Sequence, residues 1–228
     1  MFAKTLFGLA ISVAATTAAM GQSINIDFNT ATGLGGGVPA ITYGAASGSA
    51  GVWNSVGSMS ANVPTATFLN LAGGATTATL TSSGAEFTFN GSGNGAPVGN
   101  DALLLQDILD LGGTGASNTF TFNGLQNAIY NVYVYAMAPD SSTFLTNVNV
   151  NGGANQVVGG LYTGVFTLGV THALFNNVSV VGGSMTIGTS TNSGFGSLAG
   201  IQLVLVPGPS GLALLGLTGL VSRRRRRD

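Results

Sequence analysis

Cysteine is missing from all 228 residues, and lysine and arginine from nearly all of them. Without cysteine there is no disulfide framework, no lipoprotein signal and no thiol chemistry. The six basic residues are Lys4, Arg223, Arg224, Arg225, Arg226 and Arg227, so residues 22–206 hold neither Lys nor Arg. The acids in that stretch are Asp27, Glu86, Asp101, Asp107, Asp110 and Asp140, which the whole-chain formal charge of -1 conceals. Nucleic acid is excluded as a partner, because nothing there neutralises phosphate. Phosphorylated ligands and anionic membrane surfaces are disfavoured for the same reason. Neutral ligands such as sugars, and cations such as calcium, remain compatible. Histidine is almost absent too: His172 stands alone, which argues against a zinc site. Strand alternation around it suggests a surface or strand-end position rather than a general base, and no Gly-x-Ser-x-Gly elbow accompanies it. Proline is scarce while 45% of residues are hydrophobic, so the chain does not read as a disordered linker.

What is present at the two ends is an address. Lys4 supplies a positive charge, residues 6–15 an apolar stretch, and Ala19-Met20-Gly21 the small residues of a cleavage site before Gln22. Residues 1–21 therefore read as a signal peptide, and their apolar stretch falls short of the roughly 20 residues of a spanning helix. At the other end, Val206-Pro207-Gly208-Pro209-Ser210 is followed by an apolar Leu/Gly run over 211–222 and then by Arg223 to Arg227. Arginines held on the cytoplasmic side of an apolar run form a stop signal for a translocating chain. As a helix that run reaches only about 18 Å, against a hydrocarbon core of about 30 Å. This tail, residues 207–228, resembles the PEP-CTERM sorting signal, with Pro207, Pro209, the apolar helix and the five arginines in place and Gly208 where that family has Glu. The resemblance implies export in a Gram-negative-type bacterium, transient anchoring in the inner membrane, and cutting by an exosortase-type protease.

Between the ends, residues 22–206 read as one domain built from strands and turns. Apolar and polar residues alternate over Ile24-Asn25-Ile26-Asp27-Phe28, Ala78-Thr79-Leu80-Thr81, Phe87-Thr88-Phe89, Phe120-Thr121-Phe122, Val148-Asn149-Val150 and Val178-Ser179-Val180. Residues 129–137, rich in Tyr and Val on both faces, predict a central strand, and residues 198–206 the last one. Glycine pairs and Asn-Gly steps punctuate these runs at short spacing. The pattern predicts an all-β fold, an antiparallel β-sandwich of about ten strands and of jelly-roll type, with helices only in the terminal targeting segments and at 101–110. In that last segment Leu104, Leu105, Ile108 and Leu109 share a helical face, with Asn100 or Asp101 as cap and Gly112 as stop. The order of Gly51-Val52-Trp53-Asn54, the acidic Leu-rich segment 101–110, Gly124-Leu125 leading into the aromatic run, and Leu198 to Val204 is similar to galactose-binding-like sandwich domains. That likeness implies carbohydrate binding, although no binding residue of the superfamily maps onto this chain.

Candidate ligand groups are few. Trp53, the single tryptophan, reads either as a stacking platform for a sugar ring or as a core residue. Asn25, Asp27 and Asn29 present oxygens at spacing two on one strand face, which suits calcium or simply water. Asp107 and Asp110 lie at the end of the expected helix as cation ligands or solvated acids; Asp101 and Asp140 complete the candidate ligand set, with Asp140 in a turn. Glu86 reads as solvent-facing, opposite an inward Phe87. No catalytic pair emerges, so the expected protein is not an enzyme and needs no cofactor beyond a calcium ion. The expected role is an exported surface protein, structural or associated with matrix exopolysaccharide. A carbohydrate-binding module is the alternative, and a secreted glycoside hydrolase a more remote one.

Overall fold

The computed structural model describes residues 21–30 and 33–208. The expected signal peptide lies outside the described residues but for Gly21, and so does the tail from Pro209 onward, including Arg223 to Arg227. No helix among the described residues is long and apolar enough to cross a membrane. In chain order the elements are β1 (Ile24–Phe28), β2 (Trp53–Val56), β3 (Thr79–Ser82), β4 (Phe87–Asn90), α1 (Asn100–Leu105), β5 (Asp107–Gly113) and β6 (Ser117–Asn123). They continue with β7 (Ile129–Tyr135), β8 (Leu145–Val150), β9 (Gln156–Val158), β10 (His172–Ser179), β11 (Met185–Ser193), β12 (Phe195–Leu198) and β13 (Gly200–Leu205).

Two five-stranded sheets, ordered β10-β7-β13-β1-β2 and β3-β6-β11-β8-β9, form a β-sandwich, and a three-stranded sheet β12-β5-β4 flanks them. The core follows from period-two alternation: Ile24, Ile26 and Phe28 of β1 and Val132 and Val134 of β7 join Phe120, Phe122, Val148 and Ile187 of the second sheet in one buried cluster. Burying such side chains contributes about 1.5–3 kcal/mol each. The aromatic run is central as expected, β7 lying between β10 and β13. Strand β1 pairs antiparallel with β13, Ile24 standing opposite Leu203, so the domain's first and last strands are neighbours.

Two expectations are corrected. Strand β1 also pairs with β2, and that pair is parallel, Asn25 opposite Trp53. The helix stops at Leu105: Leu104 and Leu105 are helical and buried, but Ile108 and Leu109 belong to β5, which pairs with β4 and β12. One apolar spacing thus serves a helical turn and then a strand. Its N-cap is Gly99, with no side-chain cap. The Asn100 side-chain Oδ1 instead accepts from the Ala40 backbone N–H at 2.8 Å.

A second apolar cluster covers the outer face of the first sheet. Trp53, Leu104, Leu105, Ile108, Tyr135, Met137, Tyr162 and Ala199 pack there, with Tyr43 and Phe166 against them. This cover turns the outward side of β1 into interior.

Candidate functional site

With Ile24, Ile26 and Phe28 committed to the core, Asn25 and Asp27 must point the other way. There they meet not water but loops and the start of β5, and Asp27 and Asp107 are both fully buried. One oxygen of each is held: Asn29 Nδ2 donates to Asp27 Oδ2 at 3.4 Å, and the Thr30 N–H donates to Asp107 Oδ2 at 2.9 Å. The other oxygen of each, Oδ1, has no hydrogen-bond partner. Asn29 is fixed in turn, donating to the Gly37 carbonyl at 3.0 Å and accepting from Ser55 Oγ at 2.8 Å. Gly35 brings the loop down onto this pair: at φ +74, a Cβ on it would lie 2.9 Å from Asp107 N and 3.0 Å from its Oδ1. Burial, and next the Asp107 charge, hold the Asp27 carboxyl well above its ordinary range. Burial pushes Asp107 up to about 8. The structure brings Asp27, Asn29 and Asp107 together but leaves Asn25 out. Asn25 donates to the Ser49 carbonyl at 3.0 Å and accepts from Gln202 Nε2 at 2.9 Å. No group of three Asp, Glu, His or Cys poised for a metal occurs among the described residues, so any cation here would draw on amide and backbone oxygens as well.

Trp53 takes the second of its two readings: it is 4% exposed, and its indole N–H donates to the Tyr43 carbonyl at 3.0 Å. Asp101 is occupied as well, since Tyr43 and Tyr162 both donate their hydroxyls to its carboxylate. That clamp ties two loops to α1. His172 opens β10, a strand end as expected, but it is buried rather than superficial, its ring stacked on Tyr133 with centroids 5.9 Å apart. Pro207 and Gly208 follow β13 at the exposed end of the described chain.

The largest departure from expectation concerns β4. Glu86 is 7% exposed and accepts from Asn118 Nδ2, whereas Phe87 is 71% and Phe89 41% exposed. Burial raises the Glu86 carboxyl above its ordinary value. The alternation is present but faces the other way. Phe195 of β12 is also 51% exposed, and its ring lies 5.6 Å from that of Phe144. Together Phe89, Phe144 and Phe195 line a groove of about 260 Å³ with Ile108, Ser197 and the carboxylates of Asp110 and Asp140. Of the sequence candidates, Asp110 and Asp140 belong to it. Two glycines make the packing possible. A Cβ on Gly194 would lie 2.0 Å from the Phe144 ring, and one on Gly91 would lie 2.9 Å from Phe89 and 3.3 Å from Asp140. The rungs of the flanking sheet set Phe87 opposite Asp110, and Asp110 opposite Ser197. Aromatic faces beside carboxylate acceptors can stack on an apolar ring face while accepting from hydroxyl groups. The sequence signal that was available is the set of phenylalanines next to Gly, Ser and Thr in short edge segments.

No family model matches the chain, and no curated protein does. Solved structures do resemble it. A calcium-binding mutant of Bacteroides uniformis beta-glucuronidase 2 matches with a TM-score of 0.50 at 11% identity, over 84% of this chain and 19% of that one. TmCBM61 in complex with beta-1,4-galactotriose matches with a TM-score of 0.32 at 14% identity, over 57% of this chain and 89% of that one. The Podospora anserina GH26-CBM35 beta-(1,4)-mannanase matches with a TM-score of 0.32 at 21% identity, over 54% of this chain and 26% of that one. The chain thus spans about a fifth of the first of these proteins. At 11% identity the first of these likenesses is one of fold alone, a β-sandwich.

Proposed function

We propose that this protein is an exported, non-enzymatic surface module that associates with a neutral extracellular polysaccharide. The observation that carries the reading is the groove of exposed phenylalanines beside Asp110 and Asp140, in a domain without Lys or Arg. Apolar ring faces of neutral sugars stack on such side chains, and the carboxylates accept from sugar hydroxyls. The ends of the chain supply the delivery: a signal peptide read by the export machinery, and a PEP-CTERM-like tail that inserts transiently in the inner membrane for an exosortase-type protease. Affinity electrophoresis of the full chain through gels containing neutral polysaccharides tests the groove. Phe89→Ala combined with Phe195→Ala should weaken retardation by about ten-fold, the loss of roughly 1.4 kcal/mol of stacking. Unchanged retardation would defeat it.

A second reading concerns stability and rests on Asp27 Oδ1 and Asp107 Oδ1, two fully buried carboxylate oxygens without partners. A calcium ion, with hard oxygen ligands, fits Asp27 Oδ1 and Asp107 Oδ1 as two of its donors. Adding calcium to the full chain should raise its melting temperature over that in chelator, and Asp27→Asn should remove the difference. In chelator at neutral pH that variant should be more stable than wild type, because it removes a buried carboxyl that must take up a proton on folding.

A further inference from the structure

Apart from Leu145 and the exposed Val157, which stands opposite Asn147, the outer face of the second sheet is built from one kind of chemistry. Its outward positions are Thr79 and Thr81 on β3, Ser117, Thr119 and Thr121 on β6, Thr186, Gly188 and Ser190 on β11, and Asn147 and Asn149 on β8, all of them at least partly exposed. The register lines them up in rows. Thr81, Thr121 and Thr186 form one, Thr119, Gly188 and Asn149 the next, and Ser117, Ser190 and Asn147 a third. Neither a charged nor an aromatic side chain occurs in these rows.

Gly188 breaks the pattern in the middle of the central strand. Pairing runs through it without a bulge on both sides, opposite Thr119 and opposite Asn149, and its backbone is not left-handed. Neither turn nor strain requires glycine there. A glycine inside a strand weakens it and often marks a place that something else must occupy. Here the occupant is the Asn149 carboxamide: a Cβ on Gly188 would lie 2.7 Å from Asn149 Nδ2 and 2.8 Å from its Oδ1. Asn149 Nδ2 donates to Asn155 Oδ1 at 3.0 Å, which fixes the amide across the strand. The result is a cleft of about 390 Å³ rimmed by Thr119, Asn149, Asn155, Thr186 and Ser190. That volume lies in the roughly 300–1,000 Å³ range of ligand pockets.

We infer that this cleft is a second ligand site, independent of the aromatic groove, and that it takes a neutral polyhydroxylated chain lying across the strands. Hydroxyl and amide groups both donate and accept, and so do the hydroxyls of a sugar. A cation would find no carboxylate here, an anion no positive charge, and an aliphatic ligand no apolar wall. Two sites on separate sheets would let one molecule bridge two polysaccharide chains, with the avidity that bivalence brings.

The experiment is affinity electrophoresis of the full chain against a panel of soluble neutral polysaccharides: laminarin, galactan, galactomannan and dextran. Thr119→Val with Asn149→Ala removes polar groups from exposed positions. Gly188→Val expels the Asn149 amide and serves as the second variant, with circular dichroism reporting the fold of each. Against a polysaccharide that retards the wild type, the Thr119/Asn149 variant should lose about ten-fold in apparent affinity, as expected for two hydrogen bonds lost. It should do so equally in a background where Phe89 and Phe195 are already alanine. Loss in the phenylalanine variant alone overturns the cleft and leaves the groove. Loss in the cleft variants alone supports the cleft and overturns the groove. A wild type that no polysaccharide retards overturns both, whereas a cleft variant that alters only sedimentation overturns the cleft alone and makes the face a contact between copies of the chain.

Discussion

The ring of His172 shows what burial does to a titrating group that has no charge to pair with. It packs among Tyr133, Tyr135 and Phe166, and Thr171 Oγ1 lies 3.0 Å from its Nδ1. Desolvation lowers its pKa, so the folded state prefers the neutral imidazole. The sign follows from linkage: with the folded pKa depressed, the stabilising contribution is complete above the unfolded value of about 6.5 and fades as pH falls below it. His172→Phe keeps the ring and removes the proton. Denaturant midpoints measured from pH 7.5 to pH 5 should therefore fall more for wild type than for the variant. Parallel curves would mean that the ring is hydrated.

At the scale of elements, turns decide which side chains reach the groove. Gly194 links β11 to β12 at φ +64, with the Phe144 ring where a side chain would begin. Gly194→Ala should cost about 1–3 kcal/mol, from left-handed strain and from displacing that ring, and should weaken polysaccharide retardation along with stability. Urea midpoints and affinity gels would show both effects. The same scale explains what the sequence made legible. Strands β1, β3, β6 and β8 alternate in plain apolar and polar residues, β7 is apolar or aromatic on both faces, and each occurs where its pattern lies. β11 was hidden because its inward residues are Met185, Ile187, Thr189 and Thr191, half of them threonine, with Gly188 between. β5 was hidden because its apolar residues continue the spacing of α1. The direction of β4 was not legible: Glu86-Phe87-Thr88-Phe89 alternates equally well either way up, and only the Asn118 side chain on β6 selects Glu86 for the interior. The Asp27 and Asp107 pair had no local signal either, since its members are 80 residues apart and meet only through tertiary packing.

For the molecule as a whole, charge is the dominant fact. An acid-only domain has no long-range attraction to offer a neutral polysaccharide, so its binding should depend on contact alone. Retardation in affinity gels should then stay constant between about 50 and 500 mM NaCl, a range over which screening shortens from roughly 14 to 4 Å. A steep decline with salt would point instead to a charged ligand reached through a bound cation.

The pairing of β1 with β13 has a geometric consequence for the whole chain. The Leu205 N–H donates to Ser23 Oγ at 2.9 Å, so the domain is entered and left at a single pole. Anything joined to either end, a tether, a fusion partner or a host loop, holds the module by that one point and leaves its opposite pole clear. The domain could thus be spliced whole into a surface turn of another protein, its two ends already side by side.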